Sequence, residues 1–268
     1  MADLGAVKER QQQMWGTANY ASVGARVLLV SELLCEAIDL QGGERVLDVA
    51  CGNGNTALAA SRRFADVVGV DYQPRLLEQA RTRAATEGLP ARFEEGDAEA
   101  LPFDDDSFDV VLSTCGVMFA PDHQRAADEL VRVCRPGGRI GMVNWTPSSW
   151  VAEVGRAVGR YVPPPQGVLP PVLWGEHDHL ASLFGDRVSL TAPTREFLFR
   201  FASAQQHVDY FSENYPPIVA ALSQLDERSQ GQLRDELGEL AEGMNAADGE
   251  GGLVLPLEYL EVVATVHG

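Results

Sequence analysis

The sequence predicts an α/β fold with a doubly wound, mostly parallel sheet of seven strands and helical insertions. Two observations predict it. Short apolar stretches alternate with amphipathic helical stretches between residues 44 and 146, as expected for strands covered by helices on both faces. A glycine-rich turn also follows the first strand and leads into a helix. In such folds ligands bind beyond the carboxyl ends of the strands.

The individual elements follow from periodicity and from helix stop signals. Apolar residues at helical spacing in residues 23–40 predict a first helix that ends before Gly42. Pro74 and Gly88 mark the start and end of a later helix. Strands are predicted at "RVLDV", "DVVGV", "ARFEEGD", "SFDVVLST" and "RIGMVNW".

Three regions are predicted from the change in character after Trp145. Residues 1–145 hold N-terminal helices and the ligand-binding core, and residues 146–193 form a proline-rich, irregular cap segment. Residues 194–268 hold the final strand pair of the sheet, with a helical cap insertion at about 203–255. The strand pair is predicted from alternating aromatic and apolar residues at 194–201 and 257–266.

Composition restricts the class of partner. The 268 residues include 21 Lys and Arg against 39 Asp and Glu, a formal net charge of −18. This charge repels phosphate backbones and argues against nucleic acid as a partner. The four cysteines form no CxxC pair, the N-terminus lacks a signal-peptide core, and no apolar run is long enough to span a membrane. We therefore expect a cytoplasmic protein with no membrane contact that acts on a small molecule.

The stretch "VLDVACGNGN", residues 46–55, predicts a ligand site. Gly52 and Gly54 let backbone N–H groups approach a ligand closely. With Ala57, and with Asp71 nineteen residues after Gly52, the turn also fits a loose dinucleotide fingerprint. A nicotinamide-dependent or flavin-dependent enzyme is therefore one alternative.

Three carboxylates favour a different ligand. Asp48 lies inside the first strand, where we expect it to face the cavity and to disfavour a diphosphate. Asp71 ends the second strand and can accept both hydroxyls of a ribose. Asp97 follows the third strand and suits an adenine amino group. An adenosine with a cationic, amino-acid-like tail fits all three.

The same residues carry a family resemblance. The blocks "VLDVACGNGN", "VVGVDYQP", "GDAEALPF", "FDVVLSTCGVMF" and "ELVRVCRPGGRIGMVNW" occur in order over residues 44–146. In them the chain resembles class I S-adenosylmethionine-dependent methyltransferases with a Rossmann-like core, in the branch similar to quinone-biosynthesis C-methyltransferases. Ala50 departs from the glycine that the family most often has at that position, but a small residue still permits close approach.

The resemblance implies S-adenosylmethionine as the cofactor and assigns residues to its parts. The methionine part is expected at Ala50, Gly52 and Gly54, with Thr114 near the reactive methyl and Tyr20 closing over the cofactor. Asp71 is expected to hold the ribose. The adenine is expected against Tyr72, Asp97 and Ala98.

Catalysis by methyl transfer needs mainly alignment and exclusion of water, because the sulfonium methyl is already activated. A base is needed only for some acceptors, and His207 is the candidate. His177 and His179 lack a third ligand in sequence, so no metal is predicted. The methyl acceptor is expected to be a medium-sized, partly hydrophobic small molecule, in quinone or natural-product biosynthesis. It would contact aromatic and apolar residues at Trp15, Met118, Phe119, Trp145, Trp174 and Tyr215.

Three other functions also fit the sequence. The chain could bind S-adenosylmethionine and catalyse a non-methylating reaction such as cyclisation. It could also be a nicotinamide-dependent oxidoreductase or a non-enzymatic binding module, although the latter leaves the set of cofactor motifs unexplained. No pattern in the sequence points to a particular oligomeric state.

Overall fold

One mixed sheet organises the part of the chain that a computed structural model describes, residues 3–248 and 252–268. Its strands are β1 (Arg45–Val49), β2 (Asp66–Asp71), β3 (Arg92–Glu95), β4 (Phe108–Thr114), β5 (Cys134–Trp145), β6 (Val188–Thr191), β7 (Thr194–Phe201) and β8 (Leu253–Val266). The order is β3-β2-β1-β4-β5-β8-β6, and β7 pairs with β8 beside this seven-strand path. The first five strands are parallel and β8 is antiparallel to its neighbours. The predicted doubly wound, mostly parallel α/β fold is confirmed.

Helices cover the sheet and extend beyond it. They are α1 (Leu4–Trp15), α2 (Tyr20–Arg26), α3 (Leu28–Ala37), α4 (Asn55–Arg62), α5 (Pro74–Glu87), α6 (His123–Val133), α7 (Trp150–Tyr161), α8 (His177–Phe184), α9 (Ala204–Asn214), α10 (Pro216–Leu222) and α11 (Glu227–Gly243). No helix in the described ranges is both long and apolar enough to cross a bilayer.

Local sequence signals fix several of these boundaries. The predicted limits of α5 are confirmed: Pro74 is its first residue, and Gly88 ends it with φ +68°. Close packing depends on Gly141 of β5, because a Cβ there would lie 2.8 Å from Ile38 Cδ1. This glycine lets α3 lie directly on β5.

The segment after β5 differs from its predicted irregular character. Ser149 caps α7 by accepting a hydrogen bond from Ala152 N–H, and Trp150 is buried. Most of the prolines that made this segment look irregular come after α7, at 163–165 and 170–171. Farther along, α8 packs against α6.

The helices between β7 and β8 pack against the N-terminal helices. Helix α9 contacts α2 and α10 contacts α1. The Arg26 guanidinium lies 4.3 Å from the centroid of the Tyr210 ring, a cation–π contact that joins α2 to α9. The N-terminal helices and the insertion between β7 and β8 therefore pack against each other.

His207 lies in an aromatic cluster. Its ring centroid is 4.9 Å from that of Trp150, 5.1 Å from that of Phe201 and 4.9 Å from that of Phe211. The side chain is buried, and neither ring nitrogen has a hydrogen-bond partner within the described residues. Burial lowers the pKa of His207 to about 4. The expected catalytic base is thus a core residue that holds α9 against α7 and β7.

The turn after β1 holds a backbone conformation that favours glycine. Ala50 has φ +53°, in the left-handed region. Its Cβ raises the energy of this conformation by about 1–2 kcal/mol, whereas glycine adopts it freely. The departure from the family's usual glycine therefore has a cost in stability.

We expect Ala50→Gly to leave stability unchanged or to raise it by up to about 1 kcal/mol, because relief of strain exceeds the added unfolded-state entropy. Ala85→Gly, at an exposed position in α5, is the control and should cost about 1 kcal/mol. Urea unfolding of both variants measures this difference. Equal destabilisation by the two changes would show that Ala50 is not strained.

We expect His207→Leu to remove part of the acid sensitivity of folding. The neutral imidazole of folded His207 has a pKa of about 4, against about 6.5 in the unfolded chain. As the pH falls, the unfolded chain therefore binds a proton at this histidine before the folded protein does. The stability that His207 contributes above pH 6.5 is lost as the pH falls toward 4.

The stability of His207→Leu relative to the natural sequence should rise by about 2 kcal/mol between pH 7 and pH 5. Urea titrations at the two pH values measure it. His177→Leu removes an exposed imidazole of α8 and serves as the control. A pH-independent difference for His207→Leu would show that His207 is protonated equally in both states.

Candidate functional site

A cavity lies at the carboxyl ends of the parallel strands, where β1 separates β2 from β4. This is the switch point at which doubly wound sheets bind ligands. Ten residues expected at the site line it: Trp15, Tyr20, Ala50, Gly52, Asp71, Tyr72, Asp97, Ala98, Thr114 and Phe119. The strands arrange them in a row from Asp97 after β3, through Asp71 and the β1 turn, to Thr114 at the end of β4. Three strand spacings separate the ends of this row, about 14 Å.

The two glycines of the β1 turn have different surroundings. Gly52 has φ +54°, and a Cβ on it would meet only the Tyr20 ring, at 3.7 Å, so it faces open space beside that ring. Gly54 has φ +84°, and a Cβ there would lie 3.0 Å from Ala80 and 3.1 Å from Phe93. Gly54 was expected to contact the cofactor, but it lies behind the turn and lets α4 pack against α5 and β3.

Asp48 does not face the cavity, contrary to the expectation from sequence. Its Oδ2 accepts a hydrogen bond of 2.8 Å from Ala57 N–H in the first turn of α4, and the side chain is 1% exposed. Burial raises its pKa to about 8, against the lowering effect of the Ala57 hydrogen bond. The role that the structure gives Asp48 is to hold α4 on the sheet.

Asp71 joins two turns at the floor of the cavity. Gly52 N–H donates to its Oδ2 and Gln73 N–H donates to its Oδ1, both at 2.8 Å. Burial raises the pKa of Asp71 to about 6, and the backbone donors counteract this rise. Each oxygen keeps a further lone pair that can accept from a ligand.

Two charged residues beside Asp97 were missed by sequence reasoning. Lys8 Nζ of α1 lies 2.5 Å from Asp97 Oδ2 and 2.6 Å from Glu99 Oε2. The Oε1 atom of buried Glu99 also accepts from Asp122 N–H at 2.8 Å. No sequence pattern marks Lys8, because it lies in a polar helix outside the motif blocks.

Further hydrogen bonds tie α1 across the strand ends. Gln12 Nε2 donates to the Tyr72 carbonyl, and Gln73 Nε2 donates to the Gln12 carbonyl. Arg75 donates to the Gly16 carbonyl at 3.1 Å. Helix α1 thus lies over the end of the cavity near β2 and β3.

Aromatic rings enclose the cavity near β4. The Trp15 ring centroid lies 5.2 Å from that of Tyr20 and 5.1 Å from that of Phe119, both edge to face. Tyr215 packs behind Trp15 at 6.3 Å and does not itself line the cavity. Cys115 has a left-handed φ of +52° at this wall. Burial raises the pKa values of Cys115 and Tyr20 far above neutrality, so both stay protonated.

Three residues expected to contact an acceptor lie in the core instead. Met118 is fully buried, because the short 3₁₀ turn at 117–119 directs Phe119 to the cavity and Met118 away from it. Trp145 packs against Tyr259 at the end of β5. Trp174 is fully buried beside Phe184.

Histidines form no ligand set at the cavity. His123 Nδ1 lies 2.9 Å from His179 Nε2, and burial lowers the pKa of His123 to about 4. Within residues 3–248 and 252–268, no group of three or more His, Cys, Asp or Glu side chains is placed to hold a metal ion. The cavity offers carboxylates, the Lys8 ammonium, asparagine amides, backbone donors, a threonine hydroxyl and aromatic walls.

Comparisons with known proteins match this arrangement. Residues 46–138 match the family described as "Methyltransferase domain". Rv1405c of Mycobacterium tuberculosis strain H37Rv, an uncharacterized protein, is 41% identical over 94% of this chain and 92% of its own length. Demethylmenaquinone methyltransferase of Thermus thermophilus is 42% identical over 116 residues, which are 41% of this chain and 53% of that enzyme.

Solved structures share the fold at low identity. A putative methyltransferase from Bacillus halodurans has a TM-score of 0.64 and 20% identity, covering 89% of this chain and 99% of that one. The cyclase SpnF has a TM-score of 0.56 and 21% identity, covering 90% and 81%. The chain belongs to the same family as Rv1405c, and its residues 46–138 are a class I S-adenosylmethionine-dependent methyltransferase domain.

Proposed function

We propose that the protein transfers the methyl group of S-adenosylmethionine to a medium-sized, partly hydrophobic small molecule by in-line displacement. The observation that carries the proposal is the row of groups along the strand ends. It runs from Asp97 and Asp71 through the β1 turn to Thr114 and the aromatic wall. Hydrogen-bonding groups for an adenosine thus lead to an apolar compartment suited to an organic acceptor.

The residues fit the parts of the cofactor. Asp71 has free lone pairs for ribose hydroxyls, and Tyr72 offers an aromatic face beside it. Asp97 and Ala98 lie where an adenine edge would be held. A Cβ at Gly52 would project toward Tyr20, so the glycine leaves room for the methionine part beside Ala50. When bound, the sulfonium supplies an activated methyl group.

The chain's own contribution to the reaction is orientation and exclusion of water. Trp15, Tyr20 and Phe119 form an apolar wall that keeps water from the reacting atoms and holds a flat acceptor. Cys115 and Tyr20 are protonated at neutral pH. Along this wall, as far as the structure describes it, no side chain is placed to act as a base. The acceptor therefore attacks either as an anion formed in solution or as a neutral nucleophile whose proton passes to solvent after the transfer, and the S–CH3 bond that breaks releases S-adenosylhomocysteine.

Two pathways are candidates for the acceptor. The Thermus relative acts, by its name, on demethylmenaquinone, so an aromatic hydroquinone is the first acceptor to test. Natural-product metabolism is the other candidate. A second candidate reaction is cyclisation without methyl transfer, the activity that its name gives to the cyclase SpnF, which shares this fold.

A product assay distinguishes these reactions. The protein is incubated with S-adenosylmethionine labelled in the methyl group and with naphthohydroquinones and other aromatic acceptors. A labelled product together with S-adenosylhomocysteine supports methyl transfer. A product of rearranged skeleton without label supports cyclisation and contradicts the proposal.

We expect Asp71→Asn to weaken binding of S-adenosylhomocysteine about 10- to 100-fold. The carboxamide loses the charge that strengthens the ribose contacts, worth about 1.5–3 kcal/mol. Asp104→Asn, on an exposed turn, is the control. Calorimetric titration measures the binding of S-adenosylhomocysteine to both variants. NAD, the cofactor of the alternative class of enzyme, is titrated in parallel. Binding of NAD alone would overturn the cofactor assignment.

We also expect binding of S-adenosylhomocysteine to depend on pH through Asp71. Because the pKa of Asp71 in the free protein is about 6, the affinity for S-adenosylhomocysteine reaches its maximum above pH 6. The dissociation constant should rise up to about tenfold per pH unit below it, as the carboxylate is protonated. Titrations between pH 5 and pH 8 measure this. The same pH dependence in Asp71→Asn would assign it to another group.

A further inference from the structure

The Lys8 ammonium lies at the edge of the cavity between two carboxylates. Lys8 belongs to α1, outside the matched methyltransferase domain, and it lines the cavity together with Asp97 and Glu99. Its Nζ atom lies 2.5 Å from Asp97 Oδ2 and 2.6 Å from Glu99 Oε2. Although burial acts to lower it, these hydrogen bonds raise the pKa of Lys8, so the group stays charged at neutral pH.

The three donors of this ammonium leave one N–H for a ligand. An ammonium group has three N–H donors, and the two carboxylates take two of them. Among the residues that the structure describes, Lys8 Nζ has no third partner. Because Lys8 lines the cavity, an acceptor atom of a ligand can take the remaining N–H there.

Backbone donors fix the two carboxylates beside Lys8. Asp97 Oδ1 accepts from Glu99 N–H at 2.9 Å, and Glu99 Oε1 accepts from Asp122 N–H at 2.8 Å. Asp97 Oδ2 keeps a lone pair beside its bond to Lys8. An acceptor, Asp97 Oδ2, and a donor, Lys8 Nζ, are thus held 2.5 Å apart at one point of the cavity wall.

This acceptor and donor match the edge of an adenine ring. The adenine amino group is a donor, and the ring nitrogens N1 and N7 on either side of it are acceptors. Asparagine and glutamine amides recognise adenine through the same adjacent acceptor and donor, which contact the amino group and N7. The Tyr72 ring, which also lines the cavity, supplies an aromatic surface for a flat base.

We propose that Lys8 is a specificity-determining residue whose ammonium donates a hydrogen bond to one of the two ring nitrogens beside the adenine amino group, while Asp97 accepts from that amino group. This inference rests on the proposed function for the identity of the cofactor. Lys8 thereby adds a contact to the base from the N-terminal helix, outside the matched domain.

Deaza analogues of S-adenosylhomocysteine test the inference by calorimetry. In the 1-deaza and 7-deaza analogues a C–H group replaces N1 or N7, and the rest of the ligand is unchanged. The natural sequence should bind one of the two analogues about 10- to 100-fold more weakly than S-adenosylhomocysteine, because a hydrogen bond from a charged donor is lost. In Lys8→Met, that analogue and S-adenosylhomocysteine should bind within about twofold of each other. The affinity ratio for the other analogue should be the same in both proteins.

A neighbouring cation provides the matched control. Arg10→Met removes an exposed charge from α1 that does not line the cavity, and it should leave both affinity ratios unchanged. Lys8→Gln is the second variant should Lys8→Met fail to fold, as judged by thermal unfolding. It keeps an N–H donor without the charge and should narrow the difference between the two ligands about fivefold.

Two results would overturn the inference. One is equal affinity of the natural sequence for all three ligands. The other is an affinity ratio that neither Lys8 variant changes, which would limit Lys8 to fastening α1. Failure of the unaltered protein to bind S-adenosylhomocysteine would instead overturn the proposed function.

Discussion

The carboxylate of Asp71 is the constraint on which the cavity depends. A buried carboxylate is unstable without donors, and its two oxygens take theirs from the turns after β1 and β2. Gly52 must present its N–H to Asp71, so the β1 turn is held close to the end of β2. The left-handed conformations of Ala50 and Gly52 follow from this tight return of the chain. The floor of the site is thus set by the protein's own hydrogen bonds.

Part of the cavity wall comes from outside the methyltransferase domain match at residues 46–138. Lys8, Trp15 and Tyr20 belong to the N-terminal helices, and Tyr215 supports Trp15 from the insertion between β7 and β8. The Lys8 ion pairs fasten α1 to the loop after β3. The floor thus comes from the matched domain, and the N-terminal helices complete the aromatic wall of the cavity.

Sequence reasoning succeeded where a backbone rule decides the position. Residues at or just after the carboxyl ends of parallel strands meet at one edge, and this rule brought Asp71, Asp97 and Thr114 together as predicted. It failed for Asp48, which lies one residue before the end of β1, where the strand directs its side chain to α4. Aromatic residues such as Trp174 occur in hydrophobic cores as well as in ligand pockets. Only the packing in the folded structure shows which of the two roles a given residue has. No sequence pattern indicated a role for Lys8, because its ion-pair partners lie about 90 residues away in sequence.

The position of Asp48 also changes the reason for preferring a sulfonium cofactor to a dinucleotide. Asp48 cannot repel a diphosphate that it does not face. The charged residues that do line the cavity are Asp71, Asp97 and Glu99 against Lys8, and Lys8 is already paired with two of these carboxylates. A diphosphate would bring further negative charge to this lining with no free cation among the described lining residues, whereas a sulfonium brings the opposite charge. The preference thus follows from the charge of the whole lining and no longer from one residue.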